Sequence, residues 1–97
     1  MPPNRVANIR RKFRQVDANL RSAQYWVASV HNTVLSQHPG IAGQLGAFIA
    51  QIDKLRRANL ALYREHWPGT ERGLWKPGDL EDILATAPEV SRGIRDR

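Results

Sequence analysis

Three histidines, a ladder of serines and a crowd of arginines are the side chains of this 97-residue chain with chemistry to offer. His31, His38 and His66 are spaced so that no two share a helix face with a carboxylate as third metal ligand, and Glu65 points to another face than its neighbour His66. Ser22, Ser29 and Ser36 recur every seven residues, but no base accompanies them to activate a hydroxyl, so they read as a solvated ladder. The chain has no cysteine, which removes disulfides, thiolate nucleophiles and the soft ligands of zinc and iron–sulfur sites, and permits a reducing compartment. There is no phosphate-cradling glycine loop and no nucleophile elbow. The expectation is a protein that is not an enzyme, with no cofactor, metal or small-molecule substrate.

The arginines offer a different chemistry. Lys plus Arg is 15 against 9 for Asp plus Glu, a net charge of +6 and a pI near 10.8, which favours anionic partners. Arg5, Arg10, Arg11, Lys12, Arg14 and Arg21 precede or flank Asp17, the first acid in the chain. Arg10, Arg14 and Arg21 share one helix flank that could lie along a phosphate backbone, with Lys54, Arg56 and Arg57 as a second cluster. Nothing resembles a zinc finger, a homeodomain or an RNA-recognition signature, so such binding would be tolerant of sequence. Two plainer readings stand beside it. Arg supplies twelve of the fifteen cations, alongside much Ala and Gly, as a GC-rich genome would produce. The same residues also suit a solvated helix exterior with pairs such as Asp17–Arg21.

These groups must be positioned by helices. Val6, Ile9, Phe13, Val16, Leu20, Ala23, Val27, Val30 and Val34 alternate spacings of three and four, the a/d pattern of a heptad repeat, and Ile41, Leu45, Phe48, Ile52, Leu55, Asn59, Leu62 and His66 continue it. Between them His38-Pro39-Gly40 breaks the helix in a connection that only antiparallel neighbours can use. The pattern predicts helix 1 over about 5–37, capped by Asn4, and helix 2 over about 41–66. It sets Val34 opposite Leu45, Val30 opposite Phe48, Val27 opposite Ile52, Ala23 opposite Leu55, Leu20 opposite Asn59, Val16 opposite Leu62 and Phe13 opposite His66. Asn59 reads as a register-setting polar residue.

A Trp-containing loop follows over 67–78, then a short helix over about 80–86 capped by Asp79, then a polar tail over 88–97. Val6 and Ile9 lie beyond the end of helix 2 and need cover. Leu60, Tyr63 and Trp67 form a second stripe. Trp75, Leu80 and Leu84 are expected to pack there and on the N-terminal half of helix 1. The fold class is all-α: a long, coiled-coil-like antiparallel helical hairpin with a short C-terminal helix packed back on it, one domain over 1–97. A hairpin with one narrow seam gains stability from a second hairpin. Tyr25 and Trp26 outside the seam, with the small residues Gly43, Ala47 and Ala50, are the expected contact surface. The leading expectation is a non-catalytic interaction or assembly protein, a homo-oligomer or the accessory subunit of a protein partner. The second is a nucleic-acid-binding accessory protein using Arg10, Arg11, Arg14, Arg21, Arg56 and Arg57. No apolar run approaches the roughly 20 residues of a membrane span and no signal-peptide core follows Met1, so a soluble, cytoplasmic protein without membrane contact is expected.

Overall fold

Proline opens both long helices. In the computed structural model, which describes residues 3–89, α1 spans Pro3–Val34, α2 spans Pro39–His66 and α3 spans Asp79–Thr86. A proline in the first turn is preset in φ and lacks an N–H that would be orphaned there anyway. This is why α1 begins one residue before Asn4, the expected cap, and α2 begins two residues before Ile41. Helix 1 ends three residues short of Gln37, where the amides of Gln37 and His38 both donate to the Val34 carbonyl, at 3.1 and 2.7 Å. The cap of α3 is Gly78, at φ +91°, in place of Asp79. Asp79 instead opens the first turn of α3 together with Glu81 and Asp82, where carboxylates suit the helix dipole.

Helices α1 and α2 pack antiparallel along their length and α3 packs on α1, giving a helical hairpin with a short C-terminal helix. The described residues measure 55 × 25 × 17 Å with a radius of gyration of 16.4 Å. A compact chain of this length would have about 13 Å. So slender a body has little interior, and its core is divided in two. Ala28, Ile49, Ile83 and Ala87 form one cluster, flanked by Tyr25, Val27, Leu80 and Leu84. Leu60, Tyr63 and Leu74 form the other, flanked by Phe13, Trp67 and Trp75.

The C-terminal third therefore lies elsewhere than expected. Trp75 does join the Leu60–Tyr63–Trp67 stripe, but Leu80 and Leu84 sit beside Ala28, toward the hairpin turn. Val6 and Ile9 stay 36 % and 41 % exposed. Loop 67–78 turns back along the hairpin, and Asp79 is pinned at mid-length by Arg56, so α3 is delivered past the middle of α1. The tail residues beyond Glu89 lie outside the described residues.

The heptad series itself splits in two. Phe13, Leu20, Val27, Val34, Leu45, Ile52 and Asn59 are at least partly closed between the helices, whereas Val6, Ile9, Val16, Ala23, Val30, Ile41, Phe48, Leu55 and Leu62 are exposed. The expected pairs Val30–Phe48, Ala23–Leu55 and Val16–Leu62 are thus not a closed seam. Asn59 does bridge the helices, donating to the Phe13 carbonyl at 3.1 Å, a different level from the expected Leu20.

Candidate partner-binding face

Rotation of the seam has a cause in the next column of residues. At 3.6 residues per turn, Asp17, Gln24 and Ala28 of α1 and Ile49, Asp53, Arg56 and Leu60 of α2 fall on the flank that the C-terminal third covers. All seven are buried. The Arg56 side chain is 1 % exposed and forks onto Asp17: Nε donates to Oδ1 at 2.8 Å and Nη2 to Oδ2 at 3.1 Å. Nη2 also donates to Asp79 Oδ2 at 2.8 Å, and Nη1 to Gln24 Oε1 at 3.1 Å. Gln24 Nε2 donates to the Ile49 carbonyl at 3.2 Å and to Asp53 Oδ1 at 3.3 Å, where the Trp75 indole N–H also donates at 2.8 Å.

One network thus ties α1, α2, the loop and α3. Among the described residues no buried side-chain polar atom lacks a partner. Burial opposes the Arg56 charge, but the hydrogen bonds and charges of Asp17 and Asp79 outweigh it, so its pKa is raised above the ordinary arginine value.

The open end carries a second polar anchor. Arg14 donates to the carbonyls of Arg72 and of Thr70, the latter at 2.7 Å, and lies over the Tyr63 ring with its guanidinium carbon 5.5 Å from the centroid. The Tyr63 hydroxyl shares a 3.0 Å hydrogen bond with Thr70 Oγ1 and accepts from Arg10 Nε and Arg14 Nη2, each at 3.3 Å. The Thr70 hydrogen bond and the two cations lower the Tyr63 pKa against the opposing effect of burial. Gly73 is held at φ +89°, and a Cβ there would meet Arg14 Nη1 at 3.5 Å.

The basic flank expected for nucleic acid is therefore largely engaged by the chain itself. Arg56 is enclosed, Arg14 holds the loop, and Arg10 donates to the Tyr63 hydroxyl of α2. Arg21 lies 4.0 Å from Asp79, while Arg57 lies 3.6 Å from Asp53 and over the Trp75 ring. Arg11 is exposed on the outside of α1. Ser29, one rung of the supposedly solvated ladder, is fully buried and donates to the Pro88 carbonyl. Among the described residues no group of three His, Asp or Glu could hold a metal ion.

Of the expected contact residues, Tyr25 is partly covered beside Ala28 and Ile83, and its ring meets Trp26 edge-on at 5.6 Å. Trp26 is 59 % exposed. Gly43, Ala47 and Ala50 are exposed on the outer side of α2. The structure does not bring these five residues into one surface: Tyr25 and Trp26 belong to α1, the small residues to the far side of α2.

What it does assemble is a face made of residues that the heptad pattern assigns to the seam. Val16, Val30, Ile41, Phe48, Leu55 and Leu62 are between 42 % and 56 % exposed, on the side of the hairpin opposite the C-terminal third. They form two rows, Ile9-Val16-Ala23-Val30 on α1 and Ile41-Phe48-Leu55-Leu62 on α2, each stepping by seven. Buried Ile52 and the partly closed Phe13, Leu20, Val27, Leu45 and Asn59 form the floor between them. Near the open end the face dips into a shallow concavity lined by Ile9, Lys12, Phe13, Val16 and Asn59. The heptad repeat was visible in sequence; which half of it would stay open was not, because that depends on where the tail docks.

Compared with protein-family models, curated proteins and solved structures, the chain matches none. Function must then be argued from the open face and the network behind it. No helix among the described residues is long and apolar enough to cross a membrane.

Proposed function

We propose that this chain is a small non-catalytic interaction and assembly protein, an accessory subunit that works through protein–protein contacts on its open hairpin face. The observation carrying this reading is the pair of half-exposed apolar rows along both long helices. Single exposed leucines are ordinary, but Ile9, Val16, Val30, Ile41, Phe48, Leu55 and Leu62 form one contiguous patch, each 41 % to 56 % exposed, and together expose on the order of 600 Å². That is at or above the largest apolar patch of a typical monomer, about 300–600 Å². The contact surface is accordingly moved from Tyr25, Trp26 and the small residues of α2 to this face.

Affinity capture from the source cell, with wild type and Leu55→Arg as bait and with nuclease present, tests the reading. Proteins retained by wild type and lost from the variant are expected. Identical sets from the two baits would overturn it.

The second reading, a sequence-tolerant nucleic-acid-binding accessory protein, is supported by the shallow depression lined by Ala7, Arg10, Arg11 and Arg14. It is weakened by the internal partners of Arg10, Arg14 and Arg56. Binding to mixed duplex and single-stranded probes that falls steeply with salt would favour it; absence of binding at low salt would remove it.

A further inference from the structure

We infer that the occupant of the open face is a second copy of this chain, so that two hairpins close into a four-helix bundle with the C-terminal segments on its two outer sides. The inference rests on the assembly reading above and names its partner.

Four observations carry it. The first is area: roughly 600 Å² of large apolar side chain plus the floor residues approaches the ~800 Å² per partner of a standard stable interface. The second is extent. The rows run from Ile9 to Val30 and from Ile41 to Leu62, nearly the length of both helices, so a fitting partner must present an equally long apolar face, as this chain does.

The third is charge. The chain is +6 overall, yet no residue of the two rows or the floor is charged, and Asn59 is already committed to the Phe13 carbonyl. Apart from Lys12, an exposed residue that lines the concavity at the open end and whose long side chain can carry its ammonium to the rim, two copies can therefore meet without burying like charges. The fourth is shape. The α1 row is Ile, Val, Ala, Val, and the α2 row is Ile, Phe, Leu, Leu.

A two-fold axis parallel to the helices lays α1 of each copy on α2 of the other, so the slim row meets the bulky one and both contacts keep the same spacing. Phe48 then falls on the Ala23–Val30 stretch of its partner. Every neighbouring pair of helices is antiparallel, as in an up-down-up-down bundle. A two-fold axis across the helices would set Phe48 and Leu55 against their own kind and leave Val16 and Ala23 loosely packed.

Sedimentation equilibrium of the full chain over low to high micromolar concentration tests the proposal. The expected masses are about 22 kDa for wild type, twice the 11.0 kDa chain, and about 11 kDa for Leu55→Arg. Ala50→Arg, on the outer side of α2, should remain at about 22 kDa. Both substitutions put a good helix former at an exposed helical site, and circular dichroism checks that each variant is folded.

A wild type that stays at 11 kDa overturns the second-copy proposal; the assembly reading is then judged separately by whether capture retains a different protein on the same face. A dimer broken by Ala50→Arg and not by Leu55→Arg overturns the proposal and returns the interface to the small residues of α2. The arrangement is read by cross-linking, since the chain has no cysteine of its own. Ala23→Cys mixed with Phe48→Cys should give far more bismaleimide-linked dimer than either variant alone. Equal yields from the single variants would exclude the α1-on-α2 arrangement.

Discussion

The two long sides of the hairpin are cut from adjacent columns of the same two helices, yet they are built on opposite principles. The side toward the C-terminal third is polar at its centre and sealed: Asp17, Gln24, Asp53, Arg56 and Asp79 are all buried with partners. The other side is apolar and open, with Phe48 and Leu55 more than half exposed. Burial here does not follow hydrophobicity. A charged network can be closed within one chain because directional hydrogen bonds fix a single loop and helix position. An apolar row carries no such address and can be completed by any matching face. The difference separates what holds the monomer together from what the monomer leaves exposed.

Substitutions on the two sides would break or sharpen that separation. The largest effect is expected on the sealed side, where Arg56→Ala strands Asp17 and Asp79 as buried, uncompensated carboxylates and should cost about 3–5 kcal/mol in urea unfolding. Replacing Arg56, Asp17 and Asp79 together by Met, Leu and Leu should restore most of that loss, since the network specifies position more than it stabilises. If the single variant unfolds with the wild-type midpoint, the sealed side is not what anchors the tail.

Next come two changes at the edge of the network. Trp75→Phe removes the N–H donated to Asp53 and should cost about 1–2 kcal/mol. Gly73→Ala forces a side chain into a left-handed conformation beside Arg14 and should cost a similar ~1–2 kcal/mol. Amide exchange should then quicken first in loop 67–78, ahead of α1 and α2.

On the open side, Leu55→Arg should shift the stability of the dilute chain by less than about 0.5 kcal/mol, the usual range for a surface substitution. At high concentration it should abolish the rise of Tm with protein concentration expected of wild type. A large loss in dilute solution would mean that the face belongs to the folded monomer after all.

The smallest effect concerns pH. The Glu71 carboxyl is held below the usual range by its own backbone amide and by Arg64, whose Nε donates to Oε2 at 2.7 Å. A carboxylate with a depressed folded pKa adds stability that is present above the unfolded value of about 4.3 and is lost as pH falls through the folded one. Glu71→Gln should therefore be slightly less stable than wild type at neutral pH, and the difference should vanish as the pH falls below the folded value.

Much of the architecture was legible in the residues. Two helices and their antiparallel turn followed from the three–four spacing and from His38-Pro39-Gly40, because periodicity and proline act within a few residues of chain. The short last helix followed from its acids and Leu80, Ile83 and Leu84. Asp79 shows where such reading stops. As a local signal it is an N-cap, but Gly78 takes that place and Asp79 serves Arg56, 23 residues away in sequence. Arg56 likewise read as a surface cation, though Asp17 and Gln24, seven apart beside the apolar series, were a visible polar column that could have warned otherwise.

The sequence by itself determined the helices, their pairing and a heptad of apolar residues too long for one chain to hide. Only the tertiary structure decided which half of that heptad is covered. A two-helix seam has two equivalent flanks, and the return of loop 67–78 to Asp79, anchored by a buried arginine, breaks the tie by sealing one and leaving the other open.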